Sequence, residues 1–375
     1  MGHGSETPNG GVDRLPPEMG ERPNPDESED GATMIAAVIP EFGRMDVREV
    51  DDPQVQSTTD VIVKVAAAGV CRTDLETMSG GLVPAYGTPT FPYVAGHETT
   101  GWVEAVGSEV SNLVPGDAVM LHPLVTCGRC DGCRAGQDMY CVNSRFPGVD
   151  GRTWGGFAEY VRTGERAVVK VSADIDLVAM AGLSDAGLTA YHAVKRLIPH
   201  VEPTGVVAVI GVGGVGHFAV QLMRLMTSWT VIAIDTDSAR ADLGKELGAH
   251  MSVHGSIDEI LSSVLDLTDG GVDAVMDCAS GGSDSVTPLD FVRKGGTVSL
   301  VGGGQALKVD TLSAVVREIT IITNLVGTYT ELQELIKLER TGLRSLHTSF
   351  PLADTNAAID ALMTGSVVGR AVLVP

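Results

Sequence analysis

Positive charge is scarce in this chain: 26 Lys plus Arg face 48 Asp plus Glu, for a formal net charge of −22 over 375 residues. Such a surface repels nucleic-acid phosphates and anionic lipids, so neither is an expected partner. Lysine is the rarer cation, with seven of the 26, a bias that fits a halophilic and a GC-rich source equally. Secretory and membrane signals are missing as well. Residues 1–33 hold no apolar stretch flanked by basic residues and a small-residue cleavage site, so no signal peptide is expected. The one uncharged run of membrane-spanning length, 203–223, is interrupted by Gly205, Gly211, Gly213, Gly214 and Gly216, where a strand should turn into a helix, and a non-membrane reading is favoured. Cysteine is sparse: there are six, four of them between 127 and 141. That clustering is unlike a secreted disulfide framework and reads as metal ligation in a reducing compartment, so the expected location is the cytoplasm. No repeat of fixed period is present.

What remains is a folded, globular composition, 43% hydrophobic and 20% charged with 46 Gly and 18 Pro, and a length that suggests two domains. Residues 1–33 carry eight acids, two arginines, five prolines and six glycines, and are expected to form a disordered extension. Residues 34–186 contain short β-branched segments bounded by glycine, such as 60–66, 101–106 and 118–121, and read as a mainly β domain. Residues 187–327 alternate apolar runs (206–210, 231–234, 272–276, 297–301 and 321–325) with helical patterns, which predicts a doubly wound parallel α/β domain. Residues 328–375 are too short for a domain and are expected to return to the first one.

The strand 206–210 runs into Gly211-Val212-Gly213-Gly214-Val215-Gly216 and then the helical pattern HFAVQLMRLM. Strand, glycine turn and helix in this order form a dinucleotide site: a tight turn, backbone amides free to approach a pyrophosphate at a helix start, and close helix–strand packing. Asp235 ends the next strand, 19 residues beyond Gly216, where a carboxylate accepts from an adenosine ribose and repels a 2′-phosphate; NAD is therefore favoured over NADP. His217 reads as a helix-start residue and Cys278 as a small buried hydrophobe.

Cys127, Cys130, Cys133 and Cys141 give C-x2-C-x2-C-x7-C with Gly128, Gly132 and Gly136 interleaved. Four thiolates suit a closed tetrahedral structural zinc site. An iron–sulfur cluster is the chemical rival, disfavoured because no Cys-Pro follows and no second set of thiols exists. A second set of candidate ligands is dispersed: Cys71 in GVCRTD, His97 in AGHET and Asp185 in LSDAGLTAYHAV. Each alone has an ordinary explanation, as a buried thiol, a core histidine and a helix N-cap.

Together these motifs resemble the zinc-dependent medium-chain alcohol dehydrogenases, in the family's order over about residues 34–375. The resemblance implies an α/β protein with a GroES-like, mainly β catalytic domain and a Rossmann cofactor domain. It also implies two zinc ions per chain. Cys71, His97 and Asp185 would hold the catalytic one. Alcohol dehydrogenase itself is known for a catalytic zinc held by two cysteines and a histidine; Asp185 stands where that pattern has its second cysteine, as in a bacterial secondary-alcohol branch. By the same resemblance Glu98 neighbours the metal, Asp74 orients a ligand, and Thr73 bonds the substrate oxygen and starts a proton relay. Arg72 would meet the cofactor pyrophosphate, Thr189, Val215 and Val301 the nicotinamide, and Arg240 the adenosine ribose. Glu76 stands where many members carry a histidine, so the outer relay differs.

The implied activity is interconversion of a primary or secondary alcohol and its aldehyde or ketone, with hydride transfer to NAD from an alcohol ionised at zinc, by a homodimer or homotetramer. A polyol, formaldehyde-adduct or biosynthetic substrate on the same fold is the alternative, as is a non-catalytic binding protein. Zinc-free quinone or enoyl reductases are disfavoured by the ligand set. The pocket wall is expected from residues 79–91 and Trp154; an apolar wall would select a hydrophobic alcohol.

Overall fold

The computed structural model describes residues 31–279, 286–303 and 306–375; the predicted N-terminal extension lies, up to residue 30, outside them. Two sheets and a small satellite organise the chain. In the first half, strand Asp60–Val70 sits centrally, antiparallel to Glu98–Val106 and to the C-terminal strand Arg370–Val374, with Tyr160–Gly164 also paired to it. Thus the last residues complete the sheet begun by the first. A three-stranded satellite joins Asp46–Asp51, Thr33–Ile39 and Tyr93–Val94.

The second sheet is six-stranded and parallel, in the order Met251–Val253, Thr230–Ile234, Val206–Ile210, Val272–Asp277, Val292–Leu300, Thr320–Thr323. Order reverses between Val206–Ile210 and Val272–Asp277, and the crevice outside the carboxyl ends of such strands is where ligands bind. Its central strands are Val-, Ile- and Ala-rich because helices cover both faces. One apolar core runs from Met120 and Phe146 in the first half to Val207 and Met276 in the second, so the two halves are packed together.

Several strands differ from expectation at their ends. The first central strand continues four residues beyond 66 because Ala67, Ala68 and Gly69 are small enough for close packing; a Cβ at Gly69 would lie 2.0 Å from Glu98 Oε2. The last parallel strand stops at Thr323 rather than 325: the Asn324 N–H makes its last ladder bond, to Leu300 O, and Val326 then takes a positive φ of 52°. Among the described residues no helix is long and apolar enough to cross a membrane.

Candidate active site

The register of two strands assembles the first centre. Gly69 pairs with Glu98 in the antiparallel pair Asp60–Val70 and Glu98–Val106, so Cys71, just past the end of one, and His97, just before the start of the other, share one edge of the sheet. Asp185 joins them from the N-terminal end of helix Ala186–Leu197. Its carboxylate makes no capping bond to helix Ala186–Leu197, which removes the ordinary N-cap explanation. Potential ligand atoms of Cys71, His97, Glu98 and Asp185 all lie within 4.8 Å of one another, and all four residues are buried.

His97 Nε2 is 3.5 Å from Asp185 Oδ2. Two ligands held by bonds of about 2.0–2.1 Å at a tetrahedral ion sit about 3.4 Å apart. His97 Nδ1 is 3.2 Å from Asp74 Oδ1, within ion-pair distance but without hydrogen-bond alignment, and both ring nitrogens are buried without a hydrogen-bond partner. A buried imidazole with an unsatisfied Nε2 facing a thiol and carboxylates is the donor set of a cation site. Asp74 Oδ2 accepts from the Cys71 N–H at 2.7 Å, so one carboxylate braces the residues on both sides of the cluster. Electrostatics agree. Burial opposes a charge on His97, yet Asp74 and Asp185 raise its proton affinity well above the ordinary range. Burial likewise works against ionised Asp185, but His97 and Arg370 hold it below the usual carboxylate range. Thr73 Oγ1 is 3.4 Å from Cys71 Sγ, while Glu76 is exposed one turn further along helix Arg72–Ser79.

The second centre is a lobe in which the thiols of Cys127, Cys130, Cys133 and Cys141 lie within 4.8 Å of one another. All are free, and Cys127 Sγ and Cys133 Sγ are 3.9 Å apart. That is close to the edge, about 3.8 Å, of a tetrahedron with Zn–S bonds of about 2.3 Å. Burial opposes ionisation throughout the lobe, but backbone amides pull Cys127 down to about 6, whereas burial leads for Cys141, pushed up to about 12. The donor set fits zinc.

The glycine turn lies beside the first centre. Gly211 has φ of 85°, and a Cβ at Gly216 would be 1.7 Å from Gly211 O, whereas the Cβ position of Gly213 is open. Val215 is the residue before helix Gly216–Met226. Asp235 is buried at the end of its strand; Oδ2 accepts from Val212 N at 2.9 Å and Oδ1 from Asp237 N at 3.1 Å. Thr189 lies one turn from Asp185, its N–H on Asp185 O, and Val301 follows strand Val292–Leu300 with its N–H on Asp277 O. Arg72 is exposed at a helix start, and Arg240 reaches Gly365 O at 2.7 Å.

Arg370 is a functional candidate that sequence reasoning missed. It is 4% exposed, donates through Nε to Glu98 Oε2 at 2.8 Å and through Nη2 to Oε1, and sits against the turn, where a Cβ at Gly214 would meet its Nη1. Burial pushes Glu98 up to about 7 even with Arg370 beside it. Arg370 therefore connects the metal-type cluster to the glycine turn. Phe146 was also missed. Its ring lies edge-on to His97 at 5.3 Å and to Tyr86 at 6.1 Å, giving the cluster an apolar, aromatic wall. Cys278 is only partly buried, and burial raises its thiol well above the ordinary value.

His217 is fully buried, its Nδ1 3.0 Å from Gly213 O and its ring tilted on Phe218. Burial, with Arg370 nearby, lowers it to about 4. Between pH 6.5 and 4 the unfolded chain binds this proton and the folded one does not, so the group's stabilisation is present above pH 6.5 and lost as pH falls towards 4. Replacing it in H217N is expected to make the dependence of unfolding free energy on pH shallower by up to about 1.4 kcal/mol per pH unit in that window. Equal slopes for the two proteins in urea titrations would contradict this assignment.

The chain is similar to known proteins over most of its length. Residues 57–173 match the alcohol dehydrogenase GroES-like domain and residues 214–340 the zinc-binding dehydrogenase family. An alcohol dehydrogenase of Geobacillus stearothermophilus is 33% identical over 346 residues, 91% of this chain and 99% of its own. The crystal structure of the alcohol dehydrogenase from the archaeon Aeropyrum pernix superposes with a TM-score of 0.86 at 40% identity, covering 91% of this chain and all 100% of that one. A Sinorhizobium meliloti 1021 protein assigned as a zinc-binding dehydrogenase and solved with NADP gives a TM-score of 0.79 at 27% identity, with 92% and 100% covered. The chain belongs to the zinc-dependent medium-chain alcohol dehydrogenase family.

Proposed function

We propose that this protein is a two-zinc, NAD-dependent dehydrogenase that interconverts a hydrophobic primary or secondary alcohol and its carbonyl product. The observation that carries the reading is the buried Cys71–His97–Asp185 cluster, tied through Glu98 and Arg370 to the glycine turn. Cys71, His97 and Asp185 would hold the catalytic zinc and Cys127, Cys130, Cys133 and Cys141 the structural one. When bound, zinc supplies Lewis acidity that acidifies a substrate hydroxyl, and the nicotinamide supplies the hydride acceptor. The chain's own residues do the rest. Three protein ligands leave one position for substrate. Thr73 Oγ1 accepts a hydrogen bond from the substrate hydroxyl and, as that proton moves onto it, passes its own outward, Asp74 fixes the His97 ring, and the Phe146 and Tyr86 rings exclude water and favour an apolar substituent over a polyol. Thr189, Val215 and Val301 orient the nicotinamide, Arg72 and Arg370 face the pyrophosphate, and Arg240 lies on the ribose side. The outermost proton path runs without a histidine, past the exposed Glu76.

Cofactor choice rests on Asp235. Two backbone amides fix its carboxylate at the end of strand Thr230–Ile234, where it accepts from ribose hydroxyls and repels a 2′-phosphate. Kinetics with a panel of primary, secondary and polyhydric alcohols test the whole reading. Wild type should prefer NAD and apolar primary or secondary alcohols over polyols, and D235N should shift the NAD-to-NADP ratio of kcat/KM towards NADP by about 10–100-fold, the effect of about 1.4–3 kcal/mol. A preference for NADP in wild type, or an unchanged ratio in the variant, would overturn the assignment.

We also place the protein in the cytoplasm, supported by six free cysteines among the described residues, and assign it a homodimeric or homotetrameric state. Strand Thr320–Thr323 is a sheet edge, and beside it Leu312, Val315 and Val316 on helix Thr311–Arg317 are 73%, 72% and 63% exposed. An apolar helix face next to an open edge suits a second copy of this chain. V315D is expected to yield monomers by light scattering; an unchanged mass would exclude this face.

A further inference from the structure

Asp138 lies between Cys133 and Cys141, on the turn Asp138–Tyr140, and is 3% exposed. A carboxylate so buried requires partners. Oδ1 accepts from Arg166 Nη2 at 3.0 Å and from Thr126 Oγ1 at 3.3 Å, and Arg166 Nε donates to the same Thr126 hydroxyl at 2.9 Å. Thr126 immediately precedes Cys127, so these contacts hold the base of the four-cysteine lobe. The other oxygen, Oδ2, accepts from the backbone N–H of Tyr329 at 2.9 Å, 191 residues away in sequence.

Tyr329 opens helix Tyr329–Glu339, where the chain leaves the parallel sheet and turns back towards the first domain. The Thr328 hydroxyl caps Glu331 N, leaving the Tyr329 N–H as one of the unsatisfied amides of a helix start, which Asp138 then satisfies. This crossing is held tightly. His122 Nε2 meets Gly327 O at 3.0 Å, and Tyr329 OH donates to Val168 O at 3.2 Å. Just before it, Val326 is buried with φ of 52°, a conformation that a β-branched residue keeps only when its surroundings impose it. Val326 follows the carboxyl end of strand Thr320–Thr323, on the cofactor side of the sheet.

We propose that Asp138 is a positioning residue that couples the metal state of the four-cysteine lobe to the 326–329 crossing. The inference rests on the reading that the lobe binds zinc. Within the lobe regular structure is limited to the short turns Asp131–Arg134 and Asp138–Tyr140, so the thiol cluster is its core, and metal binding is what orders such a segment. An emptied lobe lets Asp138 move, the Tyr329 N–H loses its acceptor, and the strained crossing relaxes.

Hydrogen–deuterium exchange of the full chain, read on peptides covering 326–332 before and after zinc removal by a chelator, tests this. An H97A background is used so that the remaining zinc, counted with a metallochromic dye, is the lobe's. Release should speed exchange of 326–332 by about tenfold or more, as loss of a charged hydrogen bond implies, while strand Val206–Ile210 keeps its rate. D138A in the same background should retain zinc, exchange fast from the outset and change less than about twofold on release, since the link is already cut. D138N, which keeps an acceptor for Tyr329, should lie between, and with the chelated parent it decides the matter if D138A does not fold. Zinc release that leaves 326–332 unchanged overturns the proposal and leaves the metal reading intact. A zinc count of zero in H97A overturns the metal reading first, and the proposal with it.

Discussion

Replacing His97 by alanine is expected to lower kcat/KM for alcohol oxidation by at least about 10³-fold, the equivalent of about 4 kcal/mol of transition-state stabilisation. It should also remove one zinc ion per chain. His97 is the least replaceable of the cluster because its buried Nε2 has no protein hydrogen bond and faces Asp185 at 3.5 Å, while its Nδ1 is braced by Asp74. Alanine deletes a ligand and leaves both carboxylates without their central partner. D74N keeps the ligand but not the charge that orients it, and a smaller loss of about 10–100-fold follows. Steady-state kinetics with zinc analysis on the two variants settles the order; H97A with unchanged zinc and less than a tenfold loss would refute the role given to this histidine.

R370M is expected to cost about 3–5 kcal/mol of folding stability, because it strands Glu98, a fully buried carboxylate, without its partner. Glu98, already pushed up to about 7 by burial, would take up a proton more readily and soften the loss. The double variant R370M/E98Q removes the unpaired charge and should recover much of the loss. Cofactor affinity should not recover, since Gly214 packs directly on Arg370. Urea unfolding and NADH titration of wild type and the two variants measure both effects. A double variant no more stable than R370M would mean that the arginine acts through packing and not through its charge pair.

The sequence exposed those parts of the site whose chemistry is local. The glycine turn, the four clustered cysteines and Asp235 are recognisable because strand, turn and helix, or thiol and thiol, are neighbours along the chain. Arg370 was hidden for the opposite reason. It lies 272 residues from Glu98, in a segment whose GRAVLVP pattern reports only a strand, and nothing local reveals that its side chain turns into the interior. Phe146 follows the cysteine lobe by five residues and meets His97 only through the fold. Asp185 was ambiguous with a helix cap until the structure showed a carboxylate without capping bonds. Strand ends were misplaced where small residues extended a strand, at 67–69, or where a positive φ at Val326, after an Asn324 side chain tied to Ser299 and Leu300, ended one. Asp138 had no signal beyond its place in the lobe; its meaning comes from a contact across 191 residues.

Zinc analysis of purified protein, wild type beside C71A, together with NAD reduction by a secondary alcohol, tests the central claim most directly. Two zinc ions per chain in wild type, one in C71A, and NADH formation confined to wild type are the predicted result. A single zinc ion that C71A leaves in place, with no NADH formed by either protein, would contradict a catalytic metal centre at Cys71, His97 and Asp185.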